Sequence, residues 1–208
     1  MKKLIYSAEG MTSKQRASLA EKTTDPKQLR QLANDNEASV RSEVAYNKNT
    51  PPEVLVRLAD DQDEQVFRSV ALNSNAPIEA LVKLLDHEDR WTRSIVAENS
   101  RLPRKLLVKL AYDADAHVRS SIAQNLKTPP EVLAKLADDE DWEVRRSVAG
   151  NSDTPPEALL KLAYDKYVDV RRRVAENSNI PPEALAKLEE DKSVQISLGF
   201  HKYLENSV

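Results

Sequence analysis

The sequence predicts an all-α solenoid, and three observations carry that prediction. A unit of 26 residues recurs seven times, starting at Thr24, Thr50, Ala76, Leu102, Thr128, Thr154 and Ile180. Inside each unit the apolar residues return at helical spacing, three or four apart, with none of the alternation of a strand. Each unit also opens on one or two prolines directly before an apolar run, the place where a helix tolerates proline best. A helix pair of this size cannot bury its own apolar face, and stacking copies side by side supplies the missing core.

The elements follow in chain order. Residues 12–23, TSKQRASLAEKT, resemble the second half of a unit and predict an N-terminal partial cap over residues 1–23. Six regular two-helix repeats then fill residues 24–179, and a divergent seventh repeat and C-terminal cap fill residues 180–208, all in a single domain. The first helix of each repeat starts at TPPE, as at Thr50 to Glu53. This tetrapeptide fits a capping box, in which the threonine accepts a free first-turn N–H and the glutamate reaches back. Leucines such as Leu55 and Leu58, or Leu133 and Leu136, face the core. Glu precedes Lys or Arg by four on the other side, as in Glu53 and Arg57 or Glu157 and Lys161, the favourable order for ion pairing along an exposed helix.

The second helix opens at an acidic pair, Asp61 and Asp63 or Asp139 and Asp141, which offers an N-cap and a negative charge near the helix start. Its core positions are Val66 and Val70, Val118 and Ile122, Val144 and Val148, each pair followed by an alanine small enough for close helix approach. It stops at an asparagine that recurs as Asn47, Asn73, Asn99, Asn125, Asn151 and Asn177. With three glycines in the chain, asparagine is the residue best suited to a left-handed helix stop. In the last repeat Phe200, His201 and Tyr203 replace Val, Ala and Asn, and Ser197 replaces an arginine, which predicts larger side chains closing the core.

Composition narrows the function. A net charge of −3 and a pI of ≈ 5.8 give no global attraction to nucleic acid or anionic membrane. The absence of cysteine excludes disulfides, thiolate metal sites and cysteine nucleophiles. The apolar run Leu4 to Tyr6 is too short for a signal-peptide core or a membrane span, so a cytoplasmic, monomeric chain without a cofactor is the expectation. The histidines His87, His117 and His201 have no metal-ligand spacing, and no nucleophile elbow or phosphate loop is present. His87 stands where other repeats carry a turn aspartate.

The pattern TPPEVLAKLADDEDWEVRRSVAGN at Thr128 to Asn151 resembles the leucine-rich repeat variant family, and its DxxVRxxVA half is similar to HEAT-like repeats of the phycobilisome-lyase type. The resemblance covers residues 24 to about 203. It implies a right-handed superhelix of short helices, some of 3₁₀ character, and a role in binding other macromolecules. The cysteine-ligated iron–sulfur domain of the founding variant-repeat protein has no ligands here.

The run Arg171, Arg172 and Arg173 poses the functional question, grip or scaffold. Arg41, Arg93, Arg119, Arg145 and Arg171 share one repeat position at the core boundary, and each needs a carboxylate of its own or an adjacent repeat, for instance Arg119 with Asp113 or Asp115 and Arg145 with Asp139 or Asp141. Arg172 and Arg173 point outward, four residues from Glu176 and Asp169 respectively, which predicts local pairing. Outward charges on the second helices balance: Arg68, Arg146, Arg172, Arg173 and Lys202 against Glu43, Glu98, Glu143, Asp169 and Glu176. Phosphate binding needs a positive excess, so the balance argues against a nucleic-acid partner. Departures from the repeat consensus are where specificity must lie. Trp91 and Trp142, with Glu98, His117, Gln124, Glu143, Arg146, Arg172 and Arg173, are therefore the candidate binding residues, on the face expected to be concave. The favoured function is a non-enzymatic scaffold for a protein or peptide; the alternative is a nucleic-acid-processing protein similar to HEAT-like DNA glycosylases.

Overall fold

The computed structural model describes residues 10–194. The expected cap residues Ser197, Phe200, His201, Lys202 and Tyr203 and the N-terminal segment Leu4 to Tyr6 lie outside the described residues. Among the described residues the chain forms fourteen α-helices and no strand: α1 (Ser13–Lys22), α2 (Pro26–Leu32), α3 (Ala38–Tyr46), α4 (Pro52–Leu58), α5 (Glu64–Leu72), α6 (Ile78–Leu85), α7 (Arg90–Glu98), α8 (Arg104–Leu110), α9 (Ala116–Gln124), α10 (Pro130–Leu136), α11 (Trp142–Gly150), α12 (Pro156–Leu162), α13 (Val168–Ala175) and α14 (Pro182–Glu189). This is an α-solenoid. No separate 3₁₀ segment occurs among these residues; bonds of that type appear in helix first turns, as from Val54 N–H to Pro51 O at 2.9 Å. The chain divides at Arg101 and Leu102 into two compact units. In the first, α3 packs between α1 and α5; in the second, α11 packs between α9 and α13.

Each second helix is eight or nine residues long, too short to hold its shape without tertiary contacts. Its core side chains supply the largest share. Val66, Val70 and Ala71, or Val144, Val148 and Ala149, are almost completely buried, at about 1.5–3 kcal/mol for each larger residue. The acidic N-caps form as the sequence predicts: Asp63, Asp115 and Asp141 accept from the backbone N–H of Gln65, His117 and Glu143.

The other end differs from the sequence expectation. No non-glycine residue among those described has positive φ, and Asn73, Asn99 and Asn151 end their helices in extended backbone. The asparagines have a different task. Asn73 Nδ2 donates to Ala45 O at 2.7 Å and Asn47 O at 3.1 Å of the preceding repeat, and Asn151 Nδ2 donates to Ala123 O and Asn125 O. Each Oδ1 accepts the N–H two residues on, such as that of Asn75 or Asp153. A carbonyl orphaned at a helix end and buried there requires a donor, and a primary amide supplies two from one side chain.

The capping box is also corrected. The N-caps of α4, α10 and α12 are Pro51, Pro129 and Pro155, none of which makes a side-chain cap bond. The threonine lies one residue earlier, is buried, and points backwards: Thr50, Thr128 and Thr154 Oγ1 donate to Val44, Ile122 and Val148 O at 2.5 to 2.6 Å. It therefore ties the end of one helix to the start of the next. The expected Glu-to-Lys pairs along the first helices are replaced by pairs between repeats, Arg30 with Glu53, Arg104 with Glu131, Lys83 with Asp60 and Lys161 with Asp138. Parallel stacking brings neighbouring first helices within side-chain reach.

The arginine position is a ladder, with the partner in the following repeat. Arg41, Arg119, Arg145 and Arg171 pair with Asp61, Asp139, Asp165 and Asp191 at 2.5 to 2.7 Å, while the second guanidinium edge donates to carbonyls of their own turn, as Arg119 does to Asp113 O and Ala114 O. The expectation of Asp113 or Asp115 for Arg119, and of Asp139 or Asp141 for Arg145, is corrected to the next repeat, where Asp139 and Asp165 accept the guanidinium bonds. Twenty residues separate the true partners, which sequence spacing cannot distinguish from the nearer aspartate.

Burial raises the Asp139 and Asp165 carboxyls, but the bonds from Arg119 and Arg145 and from the turn N–H outweigh it and hold both below the ordinary carboxylate range. Bonds from Ser193 and then Arg171 hold Asp191 at about 2. Because folded values lie below the unfolded value of about 3.9, this stabilisation is complete above that pH and is lost as pH falls through the folded values. The melting temperature is expected to drop steeply below about pH 4, with a shallower acid limb in Arg145→Ala, measured by circular dichroism across pH. Arg119→Ala leaves a buried aspartate without its cation and should cost about 3–5 kcal/mol; an unchanged melting temperature would refute the ladder. Asn151→Ala strips donors from two buried carbonyls and is expected to cost about 2–4 kcal/mol in thermal or denaturant unfolding.

Candidate functional site

The repeat-defining side chains are consumed by stacking, and the candidate residues named from sequence all lie on the second helices α7, α9, α11 and α13. In the first unit Trp91 is half-exposed in the first turn of α7, with the Arg90 guanidinium 5.2 Å from its ring centroid. Glu98 ends the same helix and lines a cleft of about 260 Å³ with Leu72 and Ile95. Glu43, on α3, has its carboxyl pushed up by burial and by nearby Glu21. In the second unit Trp142 is partly buried and stacks on Tyr167, centroids 5.6 Å apart. Trp91 and Trp142 occupy adjacent repeat positions, not the same one: Trp91 matches Glu143, and Trp142 matches Arg90.

His117 sits exposed in the first turn of α9, its Nδ1 3.4 Å from Asp115. Glu143 is exposed in the first turn of α11. Arg172 approaches Asp169 at 3.6 Å and Arg173 approaches Glu176 at 3.1 Å. Both pairs form at three-residue spacing, in place of the four-residue partners the sequence suggested.

The chain ends of the second helices are where predicted residues converge. Gln124, Arg146 and Arg173 line one cleft of about 430 Å³ with Leu126, Ser147, Gly150 and Asn151, all in the second unit. Trp142, Glu143 and His117 lie at the opposite ends of their helices, about 12 Å away along a nine-residue helix. Gly150 and Leu126 were not among the sequence candidates. The signal was available: Gly150 stands where the other repeats place Tyr46, Leu72, Glu98, Gln124 and Glu176, and Leu126 where they place Lys48 or a serine. Among the described residues no group of three histidine, aspartate or glutamate side chains is arranged to hold a metal ion, and no helix is long and apolar enough to cross a membrane.

A family profile described as "Leucine rich repeat variant" matches residues 38–63 and 142–166. A solved structure described as "A leucine-rich repeat variant with a novel repetitive protein structural motif" is 30% identical, covers 92% of this chain and 77% of its own, and superposes with a TM-score of 0.69. The chain belongs to the leucine-rich repeat variant family. More distant similarities include an engineered protein, 21% identical over 88% of this chain and 71% of its own with a TM-score of 0.40. Another is a designed armadillo repeat protein in complex with peptide (KR)4, 19% identical over 89% of this chain and 88% of its own with a TM-score of 0.32. No protein of curated function matches the chain.

This variant-repeat chain rewrites one rung of its own ladder. At the arginine position the second repeat carries Phe67, and at the aspartate position of the following repeat stands His87. The two rings meet at 4.5 Å between centroids, tilted by 41°. His87 still performs the turn role of the missing aspartate, its Nδ1 accepting the Asp89 N–H at 3.1 Å. An ion pair forms beside the altered rung, one residue along for the arginine and two for the aspartate: Arg68 pairs with Asp89 at 3.1 Å and with Glu64 at 3.3 Å. Burial raises Asp89, but the Thr92 hydroxyl and N–H and the Arg68 guanidinium bring it down to about 2. Arg68 is therefore spent on structure and leaves the set of free outward charges. Introducing Phe67→Arg or His87→Asp alone buries an unmatched charge and is expected to cost about 2–4 kcal/mol, whereas the double variant recovers most of that loss. A thermal double-mutant cycle measures this, and additive losses would show that the two positions act independently.

Proposed function

We propose that this protein is a non-enzymatic scaffold that holds a protein or peptide on the exposed face of its second helices. One observation carries this reading: positions that recur from unit to unit are buried or bonded between repeats, and outward positions of the second helices, such as the one that holds Tyr46, Leu72, Glu98, Gln124, Gly150 and Glu176, differ from unit to unit. Tyr46, Leu72 and Trp91 are half or more exposed on that face of the first unit, and aromatic and apolar anchors of this kind dominate protein interfaces. A polyanion is disfavoured. Arg68 is committed to Asp89 and Glu64, and in the second unit the outward cations Arg146, Arg172 and Arg173 are equalled in number by Glu143, Asp169 and Glu176. The proposed setting is the cytoplasm, with the chain as a monomer.

The test is affinity capture from native extract with and without nuclease, using wild type, Leu72→Ser/Trp91→Ala, and a first-helix control, Lys135→Glu. A nuclease-resistant protein retained by the control and released by the second-helix variant, with loss of an anchor worth about 2 kcal/mol or about thirtyfold in affinity, is the expected result. Nuclease-sensitive recovery would replace the scaffold reading with nucleic-acid binding.

A further inference from the structure

We propose that the cleft at the ends of α9, α11 and α13 is a carboxylate-recognition subsite, which takes an Asp or Glu side chain of an extended peptide together with a neighbouring apolar residue. The assignment rests on the scaffold reading and names the chemistry of its partner.

The first observation is a like-charge pair. Two repeat positions meet on neighbouring second helices through hydroxyl pairs such as Ser42 with Ser69 and Ser120 with Ser147, each at 2.9 Å. The same two positions on α11 and α13 hold Arg146 and Arg173. Two guanidiniums therefore replace two hydroxyls that satisfy each other, and both line the same cleft. Like charges placed opposite one another destabilise the stack unless an anion joins them. Arg173 is tied to Glu176 through one nitrogen at 3.1 Å, and Arg146 has no carboxylate partner among the described residues.

The second observation is the space. Gly150 does not need its glycine for the backbone, since its φ is not positive, and glycine within a helix costs about 0.5–1 kcal/mol relative to alanine. What it provides is room. A Cβ there would collide with Arg173 Nε and lie 2.9 Å from Nη2, so the guanidinium occupies the volume that a side chain fills in the other repeats. The arginine is laid along the floor of the cleft as a result.

The third is the rim. Leu126 is 73% exposed where other repeats carry serine or lysine, an apolar contact beside two cations. Gln124 Nε2 is held by Ser120 and Ser147 at 3.3 and 3.1 Å, which fixes the wall opposite. Glu176 flanks the site through its pair with Arg173, which limits the positive charge that a chain of phosphates needs, while a single carboxylate is matched by the two guanidiniums. The volume, about 430 Å³, suits one or two side chains.

A random peptide library selected on the wild-type protein tests this. Recovered sequences should pair Asp or Glu with an adjacent apolar residue. A synthetic peptide of that consensus should bind Arg146→Ser and Gly150→Gln at least about tenfold more weakly than wild type, with Lys161→Ser unchanged. Gly150→Gln keeps both arginines and improves helix propensity, so its loss of binding with an equal or higher melting temperature separates a filled cleft from an unfolded one. Peptides without acidic preference, or equal binding by both cleft variants, overturn the subsite and leave the scaffold standing. Recovery of no peptide overturns both, and binding of duplex DNA in that case points to nucleic acid.

Discussion

The rest of the structure depends on how the buried carbonyls at the ends of the second helices are satisfied. These helices are eight or nine residues long, so the carbonyls of their last turn make up a large fraction of each helix, and they end inside the stack. The amide of Asn73, Asn99, Asn151 or Asn177 reaches back to the preceding repeat and bonds them, while its own oxygen closes the following turn. Thr50, Thr128 and Thr154 seal the same corner. At the other end of the helix the arginine does the equivalent work with an aspartate of the next repeat. Within each compact unit a second helix is thus fixed at both ends to a neighbour, and the relation between repeats is set by hydrogen bonds with defined geometry as well as by apolar packing. The cost of leaving such groups unpaired is larger than the net value of pairing them, which makes the arrangement specific.

The Phe67–His87 rung shows what the constraint does and does not demand. The ion pair itself can be exchanged for a ring contact, because both charges leave together. The acceptor for the turn N–H cannot be dispensed with, and an imidazole nitrogen takes it over. The exchange also redirects Arg68 toward Asp89, so a substitution in the buried ladder changes the charge available on the outer face. Structure and surface are coupled through a single repeat position.

The period, the helices and their core faces were legible in the sequence because each depends on spacing along one chain: Val66 and Val70 with Ala71 could face only one way. What was misread depends on relations between repeats. TPPE is compatible with a capping box, yet proline at the first helical position, preceded by another proline, moves the cap onto Pro51 and leaves Thr50 outside the helix, free to bond backwards. Asparagine serves equally as a left-handed stop or as a buried amide, and the choice depends on whether a carbonyl lies opposite. For Arg119, Asp113 and Asp139 are identical residues one period apart, so sequence alone has no basis for preferring the farther. At the candidate site, large side chains drew attention and the absence of one did not. Gly150 departs from its repeat position as sharply as Trp91 does, and its effect appears only when the Arg173 guanidinium is seen resting on it.

In a chain whose ladder residues must recur, the proposed recognition is confined to positions the ladder leaves alone. A change there can be kept only if it does not disturb either end of the helix. Arg146, Gly150 and Arg173 meet that condition: all three lie on the exposed side of α11 and α13, away from the buried Val148, Ala149, Val174 and Ala175. None of them improves the stack, since a glycine weakens the helix and two adjacent cations oppose each other. These substitutions weaken the stack at positions outside the ladder, and the carboxylate subsite proposed for them accounts for that cost by placing an anion between the two guanidiniums.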